Sequence, residues 1–277
     1  VPPKIGQNYV TLRETGVAGM MTCWNFGNMP SLATELAGEF TWAPQPTVAE
    51  GLRRVAIRHF GAEVADEVVA AWEVLARAHD DFPASIPVMY QGPVSRGPAF
   101  RFIFEQINHR FPNSWLLDRE VEGDQLTWAQ PFGPEKVLEC YRSEAAKANA
   151  GLAMLEAASA RVSGDDARRL ERELGVAKFH VIQTVSAANV VDFLLTRNAW
   201  YESDDPEERE RLLDRIEEIC RDEVANCEAA LPLLDADPRL GWHGEAYGYM
   251  ISRPLVEEKL ARLRALLDER LPRERAR

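Results

Sequence analysis

An aromatic ring and two side-chain amides are clustered in the segment from Cys23 to Pro30. Trp24 offers a flat apolar face on which a sugar ring can stack, while Asn25 and Asn28 can exchange hydrogen bonds with hydroxyl groups. We therefore predict that these three residues contact a substrate. The alternative is that Trp24 belongs to the core and that the two asparagines only cap a turn.

A second candidate segment runs from Met89 to Pro98, where glycines and prolines restrict the path of the chain. This path brings Tyr90, Gln91 and Arg96 together, and loops of this kind can cap an active site. Tyr90 and Arg96 are accordingly predicted substrate contacts. The competing interpretation, which the sequence slightly favours, is a domain-packing loop with a buried tyrosine.

Two further pairs of titratable residues have spacings that suggest catalysis. His243 and Glu245 have a spacing that suggests metal or acid–base chemistry, but they supply at most two ligands, and the sequence has no His-Glu-x-x-His cluster. Glu35 and Glu39 lie four apart on one helix face, a spacing that suggests the paired carboxylates of glycoside hydrolysis. Exposed or structural positions are favoured instead. We expect no metal site and no cofactor, and the catalytic residues are unknown.

These candidates depend on the elements that position them. Residues 17–24 form an apolar run of strand length, between a helix predicted from Asn8 to Thr15 and another from Ser31 to Phe40. This order is typical of one step of a parallel α/β fold, in which the loop after the strand carries the ligand site. One such unit cannot cover both faces of a parallel strand, so the rest of the sheet must lie elsewhere.

From Thr47 onward the pattern is helical, and Thr47 with Glu50 predicts a capping box at the helix start. A helix from Ala62 to His79 follows, with one apolar face. That face is predicted to consist of Val64, Val68, Trp72 and Leu75.

Prolines exclude long helices between residues 81 and 133 and predict ordered but irregular loops. Long helices then begin at Pro134, Asp165 and Pro206, and short links between them predict antiparallel neighbours. A last helix is predicted from Pro254 to Leu271, and the charged residues from Arg273 onward are expected to fray.

Composition narrows the classes of function. The formal net charge is −12, which disfavours binding to nucleic acid or to an anionic membrane because a polyanion would be repelled. No uninterrupted apolar run approaches the roughly 20 residues of a membrane-spanning helix. Four scattered cysteines predict reduced core thiols and a cytoplasmic location. The sequence also has no Gly-x-Ser-x-Gly nucleophile motif and no phosphate-binding glycine loop.

Two stretches of the chain resemble the last strand and helix of a family of bacterial glycoside-hydrolase-like proteins. They are Gly19-Met20-Met21-Thr22-Cys23-Trp24-Asn25-Phe26-Gly27-Asn28-Met29-Pro30 and Glu35-Leu36-Ala37-Gly38-Glu39. The segments Tyr90-Gln91-Gly92-Pro93 and Gly241 to Tyr249 also look like that family. The resemblance implies a (β/α)8 barrel with a helical C-terminal region, and it implies that Trp24 lines a sugar subsite. The catalytic carboxylates would lie on earlier strands outside this chain, and no catalytic role is assigned to Glu35, Glu39 or Glu245.

The predicted fold is mainly α: a long antiparallel helix bundle that follows a terminal β/α unit resembling the end of a (β/α)8 barrel. Residues 1–45 would be the last β/α unit, with the rest of the barrel missing upstream. Residues 46–133 would hold helices and proline- and aromatic-rich loops, and residues 134–277 the bundle.

The predicted function is the C-terminal portion of a glycoside hydrolase, inactive alone, which contributes part of a sugar-binding site and a helical support. Its expected partners are a carbohydrate substrate and the missing N-terminal barrel segment or chain. Neither nucleic acid nor a membrane is expected, and a homo-oligomer is left open. The alternative is a non-catalytic helical scaffold or dimerisation module.

Overall fold

The computed structural model describes residues 2–20, 31–114, 121–244 and 248–276 and confirms that the chain is mainly helical. Short helices and irregular loops occupy the described part of residues 81–133, as the prolines predict. The helices are α1 (Pro2–Glu14), α2 (Leu32–Glu39), α3 (Val48–Phe60), α4 (Ala65–Ala78), α5 (Ile86–Gln91), α6 (Pro134–Ser159), α7 (Gly164–Glu202), α8 (Pro206–Ala236), α9 (Arg253–Ala265) and α10 (Leu271–Arg275).

The strands in the described ranges form one short antiparallel pair, β1 (Trp242–His243) and β2 (Gly248–Tyr249). Residues 17–20, the described part of the strand predicted over residues 17–24, adopt no strand, and residues 21–24 lie outside the described residues. The helices predicted on either side of that segment are both present, as α1 and α2.

Helix boundaries follow the capping signals in the sequence. The Thr47 side chain accepts a hydrogen bond from the Glu50 amide, and the Glu50 carboxylate accepts one from the Thr47 amide, which is the predicted capping box at the start of α3. Ser31 caps α2 in the same reciprocal way with Thr34. Gly61 ends α3 with φ of 85°, a conformation that a side chain disfavours.

The chain forms two compact units: unit 1 is residues 1–81 with 143–178, and unit 2 is residues 82–142 with 179–277. Both units include parts of the third segment predicted from the sequence, and the predicted segment boundaries stay a prediction. The long helices α6 and α7 each contribute residues to both units.

Unit 1 has a core formed by α1 to α4 and one end each of α6 and α7. The stripe predicted for α4 is buried, and Trp72 donates a hydrogen bond from Nε1 to Glu173 Oε1 at 2.7 Å. Gly51 allows α3 to approach α2, because a Cβ there would lie 3.2 Å from Leu36 and 3.3 Å from Phe40. This close approach fixes the spacing of the two helices.

Unit 2 contains the antiparallel neighbours that the short links predict. Asn226 on α8 donates a hydrogen bond to the Ile182 carbonyl on α7 at 3.0 Å, and Arg215, earlier on α8, pairs with Asp192, later on α7, at 2.6 Å. The core beside them is rich in aromatic rings. Two close ring pairs are Phe100 with Phe111 and Phe102 with Phe193.

The last helical segment contains one wide turn. A π-helical stretch, Leu266–Arg270, joins α9 to α10, and the Leu271 amide donates its hydrogen bond to the Leu266 carbonyl five residues earlier. Both leucines are buried. Arg275 then pairs with three carboxylates of α8, which are Glu210, Asp214 and Glu217. These ion pairs anchor the residues up to Arg275, and the predicted fraying is wrong for them.

The helix α7 is long and apolar enough, by length and composition, to meet a simple test for a membrane span. Polar residues interrupt its apolar stretch, and 67% of that stretch is buried within the protein. A core helix of this length passes the same test, so the finding carries no information about location.

Candidate functional site

A cleft of about 490 Å³ opens on unit 1 between α2, the loop that follows it, and α3. Its walls combine carboxylates, guanidinium groups and one indole ring. The lining residues are Glu35, Gly38, Glu39, Trp42, Ala43, Pro44, Arg54 and Arg58.

Helix periodicity positions the charged groups. Glu35 and Glu39 are one turn apart on α2, and Arg54 and Arg58 are one turn apart on α3, so each pair shares a helix face. The two faces meet because the helices pack closely at Gly51. An acidic pair on one helix therefore faces a basic pair on the next.

Arg58 holds both carboxylates. Its Nη1 lies 3.3 Å from Glu35 Oε2, and its Nη2 donates to Glu39 Oε1. His59 Nε2 lies 2.8 Å from the same Glu35 oxygen. Arg54 Nη1 lies 3.6 Å from the other oxygen of Glu39, beyond hydrogen-bonding distance.

The electrostatics of Glu35 oppose a role as proton donor. Partial burial raises the pKa of Glu35, but hydrogen bonds and charge interactions with His59 and Arg58 outweigh it, and the net pKa is lowered. The hydrogen bond to Glu39 raises the pKa of Arg58. A glycosidase acid needs a raised pKa so that it carries a proton near neutral pH, and Glu35 has the opposite shift.

Trp42 gives the cleft its apolar surface. The residue is 77% exposed, whereas Trp72, Trp128 and Trp200 are at most 4% exposed. Exposing a large aromatic side chain forfeits the free energy of burial, and aromatic residues at binding surfaces recover it by stacking on a ligand. An indole beside planar carboxylate and guanidinium groups has the chemistry to bind a sugar ring.

The predicted substrate contacts fall in different places. Trp24, Asn25 and Asn28 lie outside the described residues, in the segment that immediately precedes α2. Tyr90 and Arg96 belong to unit 2, and Tyr90 is half-buried at the end of α5. The structure therefore does not describe these five residues as one site.

Arg96 is buried and only 2% exposed. Its Nη2 donates a hydrogen bond to the Asn113 carbonyl at 3.1 Å, and its Nη1 lies 3.4 Å from Met250 Sδ. These contacts give Arg96 a structural role within unit 2, and a role in substrate binding stays a prediction. His243 lies in β1, while Glu245 is outside the described residues.

A second cluster of charged groups lies in the core of unit 2. Lys259 on α9 pairs with Glu223 on α8, both side chains are fully buried, and Lys259 Nζ is 3.2 Å from Ser186 Oγ. Ser186 also donates to Glu223, and Asn189 donates to the other Glu223 oxygen at 2.8 Å.

Burial raises the pKa of the nearby Cys227 thiol, as it does for Cys220, which keeps both thiols protonated. A serine–lysine contact can support nucleophilic catalysis, but these side chains have no exposed surface for a substrate to reach.

No family model, curated protein or solved structure matches the chain. The interpretation of the cleft therefore depends on its own geometry and chemistry.

Trp42 and the two arginines are the aromatic and basic cleft residues that sequence reasoning did not select. Their signals are present in the chain: two basic residues four apart on α3 follow two acidic residues four apart on α2, with a tryptophan in the link between the helices. Matched spacing of opposite charges on consecutive helices is a usable indication that the two faces meet.

Proposed function

We propose that this chain is a carbohydrate-binding part of a glycoside-hydrolase-like protein. The observation that carries the proposal is the cleft of unit 1, where an exposed indole lies beside carboxylates held by an arginine. Sugars are bound by such pairings because the aromatic face contacts the apolar C–H groups of the ring, while planar polar groups bond the hydroxyls.

The proposed role is binding rather than bond cleavage. Hydrolysis of a glycosidic bond usually needs one protonated and one ionised carboxyl group flanking that bond. The lowered pKa of Glu35 argues against it as the acid. The catalytic carboxylates would then come from the remaining strands of a (β/α)8 barrel, of which residues 1–45 would supply the last β/α unit.

The predicted sugar contacts lie close in sequence to the cleft residues. Ser31, which caps the helix that carries Glu35 and Glu39, follows the predicted contacts Trp24, Asn25 and Asn28 within a few positions. The role of Trp24, Asn25 and Asn28 in sugar binding stays a prediction.

The proposal is tested by isothermal titration calorimetry against a panel of neutral and acidic oligosaccharides, with nitrophenyl glycosides assayed on the same protein. We expect binding without hydrolysis. Trp42→Ala should weaken binding by about tenfold, since loss of an aromatic contact of roughly 1 kcal/mol or more approaches a factor of ten. Phe132→Ala is the matched control, because Phe132 is also an exposed aromatic residue, in unit 2.

Two results would contradict the proposal. If no sugar binds to the folded protein, or if Trp42→Ala and Phe132→Ala bind equally well, the cleft is not a carbohydrate site. A non-catalytic helical scaffold then becomes the better interpretation, and self-association measured by sedimentation would support its dimerisation form.

A further inference from the structure

Arg54 differs from the other charged residues of the cleft. In the part of the chain that the structure describes, its guanidinium makes no hydrogen bond, and its ion-pair contact is the 3.6 Å approach of Nη1 to Glu39 Oε2. The side chain is 52% exposed and lines the cleft. Its remaining N–H donors are therefore available to a ligand.

The neighbouring charges are already engaged. Arg58 binds Glu35 and Glu39, and His59 binds Glu35. Glu50, one turn before Arg54 on α3, attracts it electrostatically, but a Glu50 oxygen accepts hydrogen bonds from the amide and the hydroxyl of Thr47. Of the two cleft arginines, Arg54 is therefore the one without a hydrogen-bonded carboxylate among the described residues.

We infer that the cleft binds a sugar that carries a carboxylate, with the Arg54 guanidinium as the partner of that carboxylate and the Trp42 ring against the sugar face. The inference rests on the proposed function and adds the class of sugar. A guanidinium presents parallel donors that match a carboxylate in a bidentate geometry, whereas a neutral hydroxyl uses only one of them.

Charge balance limits the size of the ligand. Glu35 and Glu39 offset Arg54 and Arg58 within the cleft, so the site itself has no large positive field. The whole chain has a net charge of −12 and repels a long polyanion. This charge distribution therefore favours a short acidic saccharide, with one carboxylate at Arg54, over an extended acidic polymer.

The test compares trigalacturonic acid with its fully methyl-esterified form, which keeps the sugar rings and removes the charges. Calorimetry on the wild-type chain should show about tenfold tighter binding of the acid, the factor expected for one charge-assisted hydrogen-bonded pair. Arg54→Gln should abolish this preference by weakening the binding of the acid far more than that of the ester. Arg54→Lys should restore only part of it, because lysine keeps the charge but lacks the fork.

Arg53→Gln is the matched control. Arg53 is the adjacent residue on α3, and it pairs with Asp66 at 2.7 Å rather than lining the cleft. It should retain the full preference for the acid. Trp42→Ala should weaken acid and ester alike, and circular dichroism should show that every variant is folded.

The outcomes separate the two proposals. Equal binding of acid and ester by the wild-type chain, binding of neutral sugars alone, or an unchanged preference in Arg54→Gln overturns the inference and leaves carbohydrate binding in place. Failure of both ligands and of the neutral oligosaccharides overturns carbohydrate binding itself.

Discussion

Unit 1 and unit 2 each place glutamates against cations on neighbouring helices, but in opposite surroundings. In the cleft of unit 1, the side chains of Arg58 and Glu35 are 52% and 34% exposed. In the core of unit 2, those of Lys259 and Glu223 are 0% exposed. Water can compete for the first pair and can be replaced there by a ligand, whereas the second pair has only its protein partners.

The same difference governs the energetics. An exposed ion pair contributes roughly 0 to 1 kcal/mol because water solvates its members well when they separate. Removing one partner of a buried pair costs about 3 to 5 kcal/mol because the other is left as an uncompensated charge. Exposure therefore suits the unit 1 cluster to recognition, and burial makes the unit 2 cluster a determinant of stability.

The largest effect is expected from Lys259→Met, which removes the cation from the buried cluster. Glu223 would keep hydrogen bonds from Ser186 and Asn189 but lose its counter-ion. We expect a loss of about 3 to 5 kcal/mol in the free energy of unfolding, measured by urea denaturation.

The double variant Lys259→Met with Glu223→Met should recover much of that loss, since no charge then remains buried. Lys136→Met removes an exposed lysine that pairs with Glu139 on α6 and should cost less than about 1 kcal/mol. A Lys259→Met loss no greater than that of Lys136→Met would refute the contrast between buried and exposed ion pairs.

A smaller effect is expected from Asp124→Asn in unit 2. The Asp124 carboxylate accepts hydrogen bonds from the backbone amides of Ile107, Asn108 and His109 at 2.7 to 3.1 Å, and it lies 3.4 Å from the buried guanidinium of Arg197. Asparagine supplies one acceptor oxygen and no charge. We expect a loss of about 2 to 3 kcal/mol by urea denaturation.

Burial already lowers the pKa of Arg197, and Asp124 opposes that shift, so the arginine depends on this carboxylate. Exposed Asp268 provides the control, and Asp268→Asn should change stability by no more than about 0.5 kcal/mol. Equal effects of the two substitutions would mean that burial does not set the energy of such pairs here.

The smallest effect is expected from Glu35→Gln in the cleft. Because the folded pKa of Glu35 is lowered, its contribution to stability is present above the unfolded pKa of about 4.3 and is lost as the pH falls through the folded value. At pH 7 the variant should lose less than about 1 kcal/mol. The difference from wild type should vanish in strongly acidic solution.

Urea denaturation at pH 7 and at several acidic values checks this, with exposed Glu14→Gln at the end of α1 as the control. A deficit for Glu35→Gln that grows on acidification would contradict the lowered pKa.

Much of the helical architecture was predictable because it depends on local signals. The Thr47–Glu50 capping box and the apolar face of α4 are properties of a few neighbouring residues, and both are confirmed. Helix periodicity gives a face but not the residue at its centre: on α8, Leu213 is buried while its neighbour Leu212 is only partly buried.

Side-chain environments were harder to predict. Arginine is rarely buried, which favours a surface position for Arg96, yet the fold encloses it. Lys259 is also buried, and its acidic partner Glu223 lies on another helix, so no local pattern indicates the pair. Trp42 has no periodic pattern around it, so nothing local distinguishes an exposed tryptophan from a core one. The barrel-like origin of residues 1–45 stays a prediction.

The wide turn at Leu266–Arg270 makes the register of the last helix sensitive to a single residue. An α-helical turn places residues about 3.6 apart in line, while the π turn brings Leu266 and Leu271, five apart, to the same buried side. Deleting one residue from this stretch would regularise the hydrogen bonds and rotate everything after it by about 100° relative to α9. Leu271 would turn towards solvent, and Arg275 would leave its carboxylates on α8. The extra residue in the π turn sets the rotation of α10 relative to α9, so that Leu271 is buried and Arg275 reaches α8.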